Sequence, residues 1–155
     1  MAYSQEITDK LRAFFSASGI HTTFEERENV ALFTLRMKLS CRLQSAQMLL
    51  IVREDNFSAL AQIPLSAGED TRLAVAEYIT RANFNMRNGN FELNMDDGEI
   101  RFKTYVHAGK EPLDMNAARL AITLPFVMFN RFGDGLLDVL FGFKSPREAF
   151  EAVRG

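Results

Sequence analysis

The chain has 155 residues, of which 47% are hydrophobic and 25% are charged, proportions typical of one globular domain with a single core. Its net charge is −2 and no stretch is strongly basic, which argues against nucleic-acid binding. The one cysteine, Cys41, excludes an internal disulfide and fits a reducing compartment. We therefore expect a single domain over residues 1–155 that has no nucleic-acid partner.

The sequence also predicts where the protein resides. Its N-terminal segment MAYSQEITDK is polar and lacks the apolar run of a signal peptide. The longest apolar run, over residues 120–130, is too short to cross a bilayer. We expect a cytoplasmic protein without membrane insertion.

The first predicted element is an amphipathic helix over residues 5–18, where apolar side chains recur at helical spacing. Ser4 is its expected N-cap and Gly19 its expected stop. Three strands follow, at about residues 30–39, 42–54 and 57–64. The first and third alternate along the chain, whereas the run MLLIV at 48–52 of the second is apolar on both faces, which predicts a central strand covered on both sides. Their short connections predict an antiparallel meander.

A second helix is predicted over residues 70–84, with Leu73, Ala76 and Ile79 on one apolar stripe. A hairpin of two strands comes next, and Met95 is expected in its first strand. Asp97-Gly98 is a signal for a two-residue turn between those strands.

The C-terminal third predicts two more helices. The long one begins near Asp114 and contains Pro125, for which we expect a kink or a break, since proline clashes with the carbonyl of Ala121. Ser145, Pro146 and Glu148 form a capping box that starts a short last helix. The predicted order is α-βββ-α-ββ-α-α, an α+β fold in two layers with a five-stranded antiparallel sheet.

The spacing of the residues argues against two kinds of binding motif, an EF-hand loop and a dinucleotide fingerprint. An EF-hand loop with Gly98 at its sixth position would need ligands at Leu93, Met95 and Thr104, which cannot supply them. Asp96 and Asp97 therefore indicate a solvated turn. The glycines at 133 and 135 lack the third glycine of a dinucleotide fingerprint, so they indicate close helix packing or a helix break.

The sequence also contains clusters of polar residues that could form a site. The asparagines at 83, 85, 88, 90 and 94 could line a polar pocket, but asparagine also caps chain ends and tolerates left-handed backbone, which we favour here. Cys41 with His21 could imitate a thiol nucleophile and its base, although a half-buried cysteine between strands is usually inert. His21, His107 and Cys41 lack the spacing of a zinc site. We predict no catalytic, metal or cofactor-binding residue.

The strongest physical signal is apolar surface without a predicted cover. Helices on one sheet face leave a second set of apolar side chains pointing the other way, and such a face usually needs a partner. The alternative is that the long C-terminal helix wraps over it. The residues in this candidate partner-binding set are Val30, Leu32, Leu49, Ile51 and Leu60.

The segment AEYITRANFNMRNGNFELNMDDGEIRFKTYV carries a helix ending in Asn83, then Gly89, Phe91, the Asp97-Gly98 turn and the strand 99–102. In this pattern it resembles the YbjN family, also called bacterial sensory transduction regulators. The resemblance implies a fold like that of the type III secretion chaperones and Tir chaperone-like proteins, often a homodimer. It also implies regulatory or chaperone-like protein binding, without catalytic residues.

Two functional hypotheses follow. The first is a non-enzymatic, homodimeric protein-binding module of a bacterial cytoplasm that covers its apolar sheet or helix surface with a client. The second is a small-molecule sensor or cryptic enzyme with a pocket between the sheet and the C-terminal helix.

Overall fold

The computed structural model describes residues 2–154, which form one antiparallel sheet of six strands and four helices. The helices are α1 (Gln5–Ala17), α2 (Arg72–Asn83), α3 (Met115–Leu140) and α4 (Pro146–Val153). The strands are β1 (Thr23–Arg27), β2 (Val30–Lys38), β3 (Ser45–Val52), β4 (Asn56–Ser66), β5 (Asn90–Leu93) and β6 (Glu99–His107). Their spatial order is β1-β2-β3-β4-β6-β5. The predicted α+β class is confirmed.

The helices cover one face of the sheet, which we call the inner face. Phe15 of α1 packs its ring 5.5 Å from that of Phe33 on β2. Phe129 of α3 packs 5.4 Å from Phe91 on β5. The inward side chains of the four central strands are almost wholly buried, so this layer is the core.

The prediction of five strands is wrong by one, because β1 was missed. Its sequence TFEER alternates poorly, and four of its five residues are exposed. Phe24 is its one apolar side chain and packs against the core, where its ring lies 5.0 Å from that of Phe33. A short polar edge strand gives little periodicity to detect, and pairing with β2 decides its conformation.

Two predicted elements begin or point differently in the structure. Strand β3 begins at Ser45 instead of residue 42, because Gln44 has a φ of 69° and turns the chain. In α2 the predicted apolar stripe is partly wrong, since Leu73 is 78% exposed. The buried side of α2 is centred on Val75 and Tyr78.

The break expected at Pro125 does not occur, and α3 runs continuously from Met115 to Leu140. Proline cannot donate to the carbonyl of Ala121, four residues earlier. The buried hydroxyl of Thr104 on β6 donates to that carbonyl instead, at 2.7 Å. A strand side chain thus replaces the missing helical hydrogen bond.

The glycines of α3 allow close packing, as one of the two sequence interpretations predicted. A Cβ at Gly135 would lie 2.2 Å from the hydroxyl oxygen of Tyr78, and one at Gly133 would lie 2.7 Å from Cys41 Sγ. The Tyr78 hydroxyl donates to the Phe132 carbonyl at 2.6 Å. These contacts bring α2 and the loop after β2 directly against α3.

The predicted two-residue turn between β5 and β6 is a five-residue loop, 94–98. Asn94 N–H donates to the Glu99 carbonyl at 2.9 Å, and Gly98 N–H donates to the Asn94 carbonyl at 2.7 Å. Met95 therefore lies outside the strand and is 47% exposed. Gly98 has a φ of 81° and touches the backbone of Ala67, which only glycine permits.

Candidate functional site

The sheet face opposite the helices, which we call the outer face, brings together the five predicted partner-binding residues. Leu32 lies opposite Ile51 in the β2–β3 register. Leu49 lies opposite Leu60 in the β3–β4 register, one row further along the sheet. Val30, two residues before Leu32 on the same face of β2, completes the group. We call these five residues the outer patch.

No helix covers the outer patch among residues 2–154. The α3 contacts of Thr104 and Phe91 lie on the inner face, so α3 packs on the opposite side of the sheet. The alternative in which the long C-terminal helix wraps over the apolar set is therefore wrong. Leu32 is 8% exposed through contacts with its neighbours, while the other four members are half-buried.

Charged side chains frame the outer patch. By register and alternation, five basic and three acidic residues share the outer face, a local excess of positive charge on a chain whose net charge is −2. An acidic surface is therefore a better electrostatic match to this face than a basic one. The basic residues are Arg27, Arg36, Lys38, Arg101 and Lys103, and the acidic ones are Glu25, Glu92 and Glu99.

One corner of this frame is a fixed ion-pair cluster. Glu92 on β5 accepts from Arg101 at 2.9 Å and from Lys103 at 2.8 Å, both on β6. Burial raises the pKa of Glu92, but the two cations outweigh it and hold the pKa below its ordinary value. Glu92 therefore stays charged near neutral pH and neutralises part of the positive corner.

The size of the outer face suits a protein partner. Strands spaced ~4.8 Å apart and rising ~3.3 Å per residue make a face of roughly 600 Å². A stable protein complex buries about 600–1,000 Å² on each partner. The face is thus large enough for one modest interface.

The structure also contains a cleft of about 860 Å³ on the inner side of the sheet. Runs of three residues centred on inward-facing Leu35, Ala46 and Ile63 form its floor. Its walls are Ile20, in the loop after α1, and Phe126, on α3. The sequence hypothesis of a pocket between the sheet and the C-terminal helix did not identify these residues. The sequence signal of this cleft is the small side chain of Ala46, since the other two inward-facing residues of the floor, Leu35 and Ile63, are large.

Among the described residues, the histidines and the cysteine singled out from the sequence show neither a metal-binding cluster nor a thiol–imidazole hydrogen bond. Within residues 2–154, no group of three or more His, Cys, Asp or Glu side chains could hold a metal ion. Cys41 lies against Gly133 of α3, whereas His21 lies in the loop before β1 and lines the cleft. No hydrogen bond joins the two side chains, so the structure does not pair them as nucleophile and base.

Three of the five asparagines serve the backbone, as the sequence interpretation favoured, and Asn88 and Asn90 line a groove beside β6. The Asn83 side chain accepts from Phe91 N–H at 2.8 Å and donates to the Phe91 carbonyl at 2.9 Å. Asn94 accepts from Asp96 N–H at 2.9 Å inside the hairpin loop. Asn85 has a φ of 74°, the left-handed backbone that asparagine tolerates.

Comparisons with models of known protein families and with curated proteins gave no match for this chain. In the described part of the chain, none of the helices combines the length and the apolar character that crossing a bilayer requires.

Proposed function

We propose that this chain is a non-enzymatic, regulatory or chaperone-like binding module that covers its outer patch with another protein chain. The observation that carries this proposal is the apolar cluster on a sheet face that has no helix over it. Burying such a cluster contributes about 25 cal/mol for each Å² of apolar surface removed from water. The resemblance to the YbjN family supports the same reading and suggests a second copy as one of the chains bound.

The charges around the patch support a protein partner over a small ligand. A flat apolar centre with a rim of mixed charges is the usual composition of a protein interface, in which the rim sets orientation and specificity. The local excess of positive charge favours a client whose matching surface is acidic. A homodimer through the same face would need to offset Arg36 and Lys38 against the acidic groups of the opposite copy.

The test is a pair of substitutions at half-buried patch positions, Leu49→Asp and Ile51→Asp. Each places a carboxylate in the centre of the patch, so we expect loss of the dimer in light scattering, or loss of the client in affinity capture from a bacterial cytoplasm. Leu73→Asp is the matched control, because Leu73 is exposed and lies on α2. Circular dichroism checks that each variant is folded.

Two outcomes would overturn the proposal. If both patch variants unfold, Leu49 and Ile51 are core residues and the outer face is not an interface. If both remain folded and keep every partner of the wild type, the interface lies elsewhere on the molecule.

A second candidate function is small-molecule binding in the 860 Å³ cleft, which we infer from its volume and its apolar floor. A thermal-shift panel of metabolites, nucleotides and metals tests it, since a ligand that binds only the folded chain raises the melting temperature. Ala46→Leu fills the floor and should abolish the shift while leaving partner binding at the outer patch intact. A panel without any shift would remove this candidate.

A further inference from the structure

Strand β6 has an open edge where β5 stops short. Strand β5 pairs with β6 from Leu93 opposite Ile100 to Asn90 opposite Lys103. Strand β6 continues to His107, and its other side stays paired with β4. The last four residues of β6, 104–107, therefore have a strand on one side only.

The hydrogen-bond register shows which groups are open. Asn94 N–H donates to the Glu99 carbonyl, so residue 99 and every second residue after it turn their backbone groups toward β5. Ala108 N–H donates to the Asp55 carbonyl on the opposite side, in agreement with that alternation. The N–H and C=O groups of Tyr105 and His107 consequently have no backbone partner among residues 2–154.

A groove of about 390 Å³ runs along this edge. One wall is the backbone of residues 103–107, and the other is the face of α3 that carries Ala117, Leu120 and Leu124. Leu120 is 47% exposed, although it faces a strand across the groove. An open strand edge beside an apolar helix wall is the geometry that accepts an added strand.

Two other free edges of the sheet, at β5 and at the end of β2, are closed or guarded, in contrast to β6. At β5, the Asn83 side chain satisfies both the N–H and the C=O of Phe91. At β2 beyond its pairing with β1, the exposed side chains are those of Arg36 and Lys38, and such charges discourage strand addition. Along residues 104–107 of β6, no described side chain bonds the open backbone groups, and the exposed side chains there are those of Tyr105 and His107.

We propose that the β6 edge binds an extended segment of another protein in which apolar and acidic residues alternate. A strand added beside Tyr105 would direct every second side chain inward against Leu120 and Leu124, which requires apolar residues. The residues between them would lie on the outer face beside Lys103 and His107. This site is separate from the outer patch and stands without it.

Charge complementarity specifies the acidic positions. The basic residues that line the groove are Arg87, Lys103 and His107, Tyr105 is its other titratable residue, and no acidic residue lines it. Glu92 engages Lys103, and Asp55 Oδ2 lies 4.0 Å from His107 Nδ1 at the far end. Arg87 is exposed and forms no ion pair with any described residue, so it is available to a carboxylate of the added segment.

The probe is a capped synthetic hexapeptide of alternating Val and Glu, titrated to about 2 mM into the full chain, a range that detects weak binding. We expect shifts of the Tyr105 and His107 amides in NMR spectra. A peptide of the same composition in scrambled order should bind about tenfold more weakly, which corresponds to roughly 1.4 kcal/mol. The same alternating peptide, N-methylated at every second residue, should not bind because it cannot donate to the edge.

Three protein variants test the groove itself. Leu120→Asp and Arg87→Glu alter exposed side chains and should each weaken binding about tenfold, with Arg147→Glu, outside the groove, as the charge-matched control. Tyr105→Pro removes an N–H that bonds no group of residues 2–154, so β6 should still fold while strand addition is lost. Leu49→Asp in the outer patch should leave peptide binding unchanged.

Three outcomes would overturn the inference. One is the absence of any shift at Tyr105 and His107 over the whole titration. Another is equal binding by the alternating and N-methylated peptides, which would exclude a hydrogen-bonded strand. The third is full binding by the folded Leu120→Asp and Arg87→Glu variants, which would place the peptide elsewhere.

Discussion

The two faces of the sheet come from the same strands but have opposite environments. On β3, Leu50 faces the helices and is 0% exposed, while its neighbour Leu49 faces outward and is half-buried. Both are leucines in one strand, so composition alone does not distinguish them. The difference teaches that burial here is set by the helix layer, and that the apolar side chains of the outer face stay without a cover.

The largest expected effect is that of truncating Leu50, compared with truncating its neighbour Leu49. Leu50→Ala should lower the free energy of unfolding by about 2–5 kcal/mol, because it removes buried contacts and leaves a cavity. Leu49→Ala should cost no more than about 1 kcal/mol in the isolated chain, since part of its side chain is already in water. Urea denaturation of both variants measures the difference, and equal losses would break the distinction between the faces.

A second prediction concerns the closest contact within the helix layer. Gly135→Ala should destabilise the fold by about 1–3 kcal/mol, because the new Cβ would lie 2.2 Å from the Tyr78 hydroxyl oxygen. Adding Tyr78→Phe removes that oxygen and should recover part of the loss. A double-mutant cycle in thermal unfolding measures the coupling, and strictly additive effects would show that the contact is not the cause.

The third prediction compares one threonine on each face. Thr104→Val removes the hydroxyl that donates to the Ala121 carbonyl and leaves that buried oxygen unpaired, at a cost of about 1–3 kcal/mol. Thr34→Val on the outer face has no such bond and should be nearly neutral. Helical circular dichroism of Thr104→Val should also report whether α3 weakens around Pro125. Equal stabilities of the two variants would contradict the assigned role of Thr104.

The sequence correctly predicted structural features that follow from hydrophobic periodicity, and it missed features that depend on tertiary contacts. Alternation in β2 and β3 placed Leu32, Leu49 and Ile51 on one face correctly, since side chains of a strand alternate strictly. A break at Pro125, one of the two expected outcomes, does not occur, because the compensating hydroxyl comes from Thr104 on β6, outside the helix and 17 residues before Ala121. Whether α3 covers the inner or the outer face depends on topology, which local patterns do not specify.

The open β6 edge shows a second limit of the same kind. A sequence pattern marks strand residues, but it does not record where a neighbouring strand ends in space. Strand β5 has four residues against nine in β6, so the mismatch becomes visible once register is known. The structure places the residues of the outer patch together on one face, and the binding role of that patch stays a prediction.

The smallest predicted effect depends on pH and concerns the anchor between the β2–β3 loop and α3. Arg42 donates to Asp138 at 2.8 Å, and this bond holds the pKa of Asp138 below its ordinary value of 3.8, with Lys144 assisting. A lowered pKa in the folded state means that the anchor stabilises the chain fully above about pH 3.8 and loses this effect as the pH falls further. Asp138→Asn should therefore lower stability at neutral pH.

Comparing the stabilities of the two proteins at several pH values separates the effect of the charge on Asp138 from the effect of its packing. The difference in stability between the wild type and Asp138→Asn should shrink as the pH falls from about 3.8 toward the lowered pKa of Asp138 in the folded chain. Glu92→Gln is the matched control on the outer face, since Glu92 is also held charged by two cations but does not contact α3. Urea denaturation across this pH range measures both. A difference for Asp138→Asn that stays constant with pH would mean that packing, and not the charge on the carboxylate, anchors the loop to the helix layer.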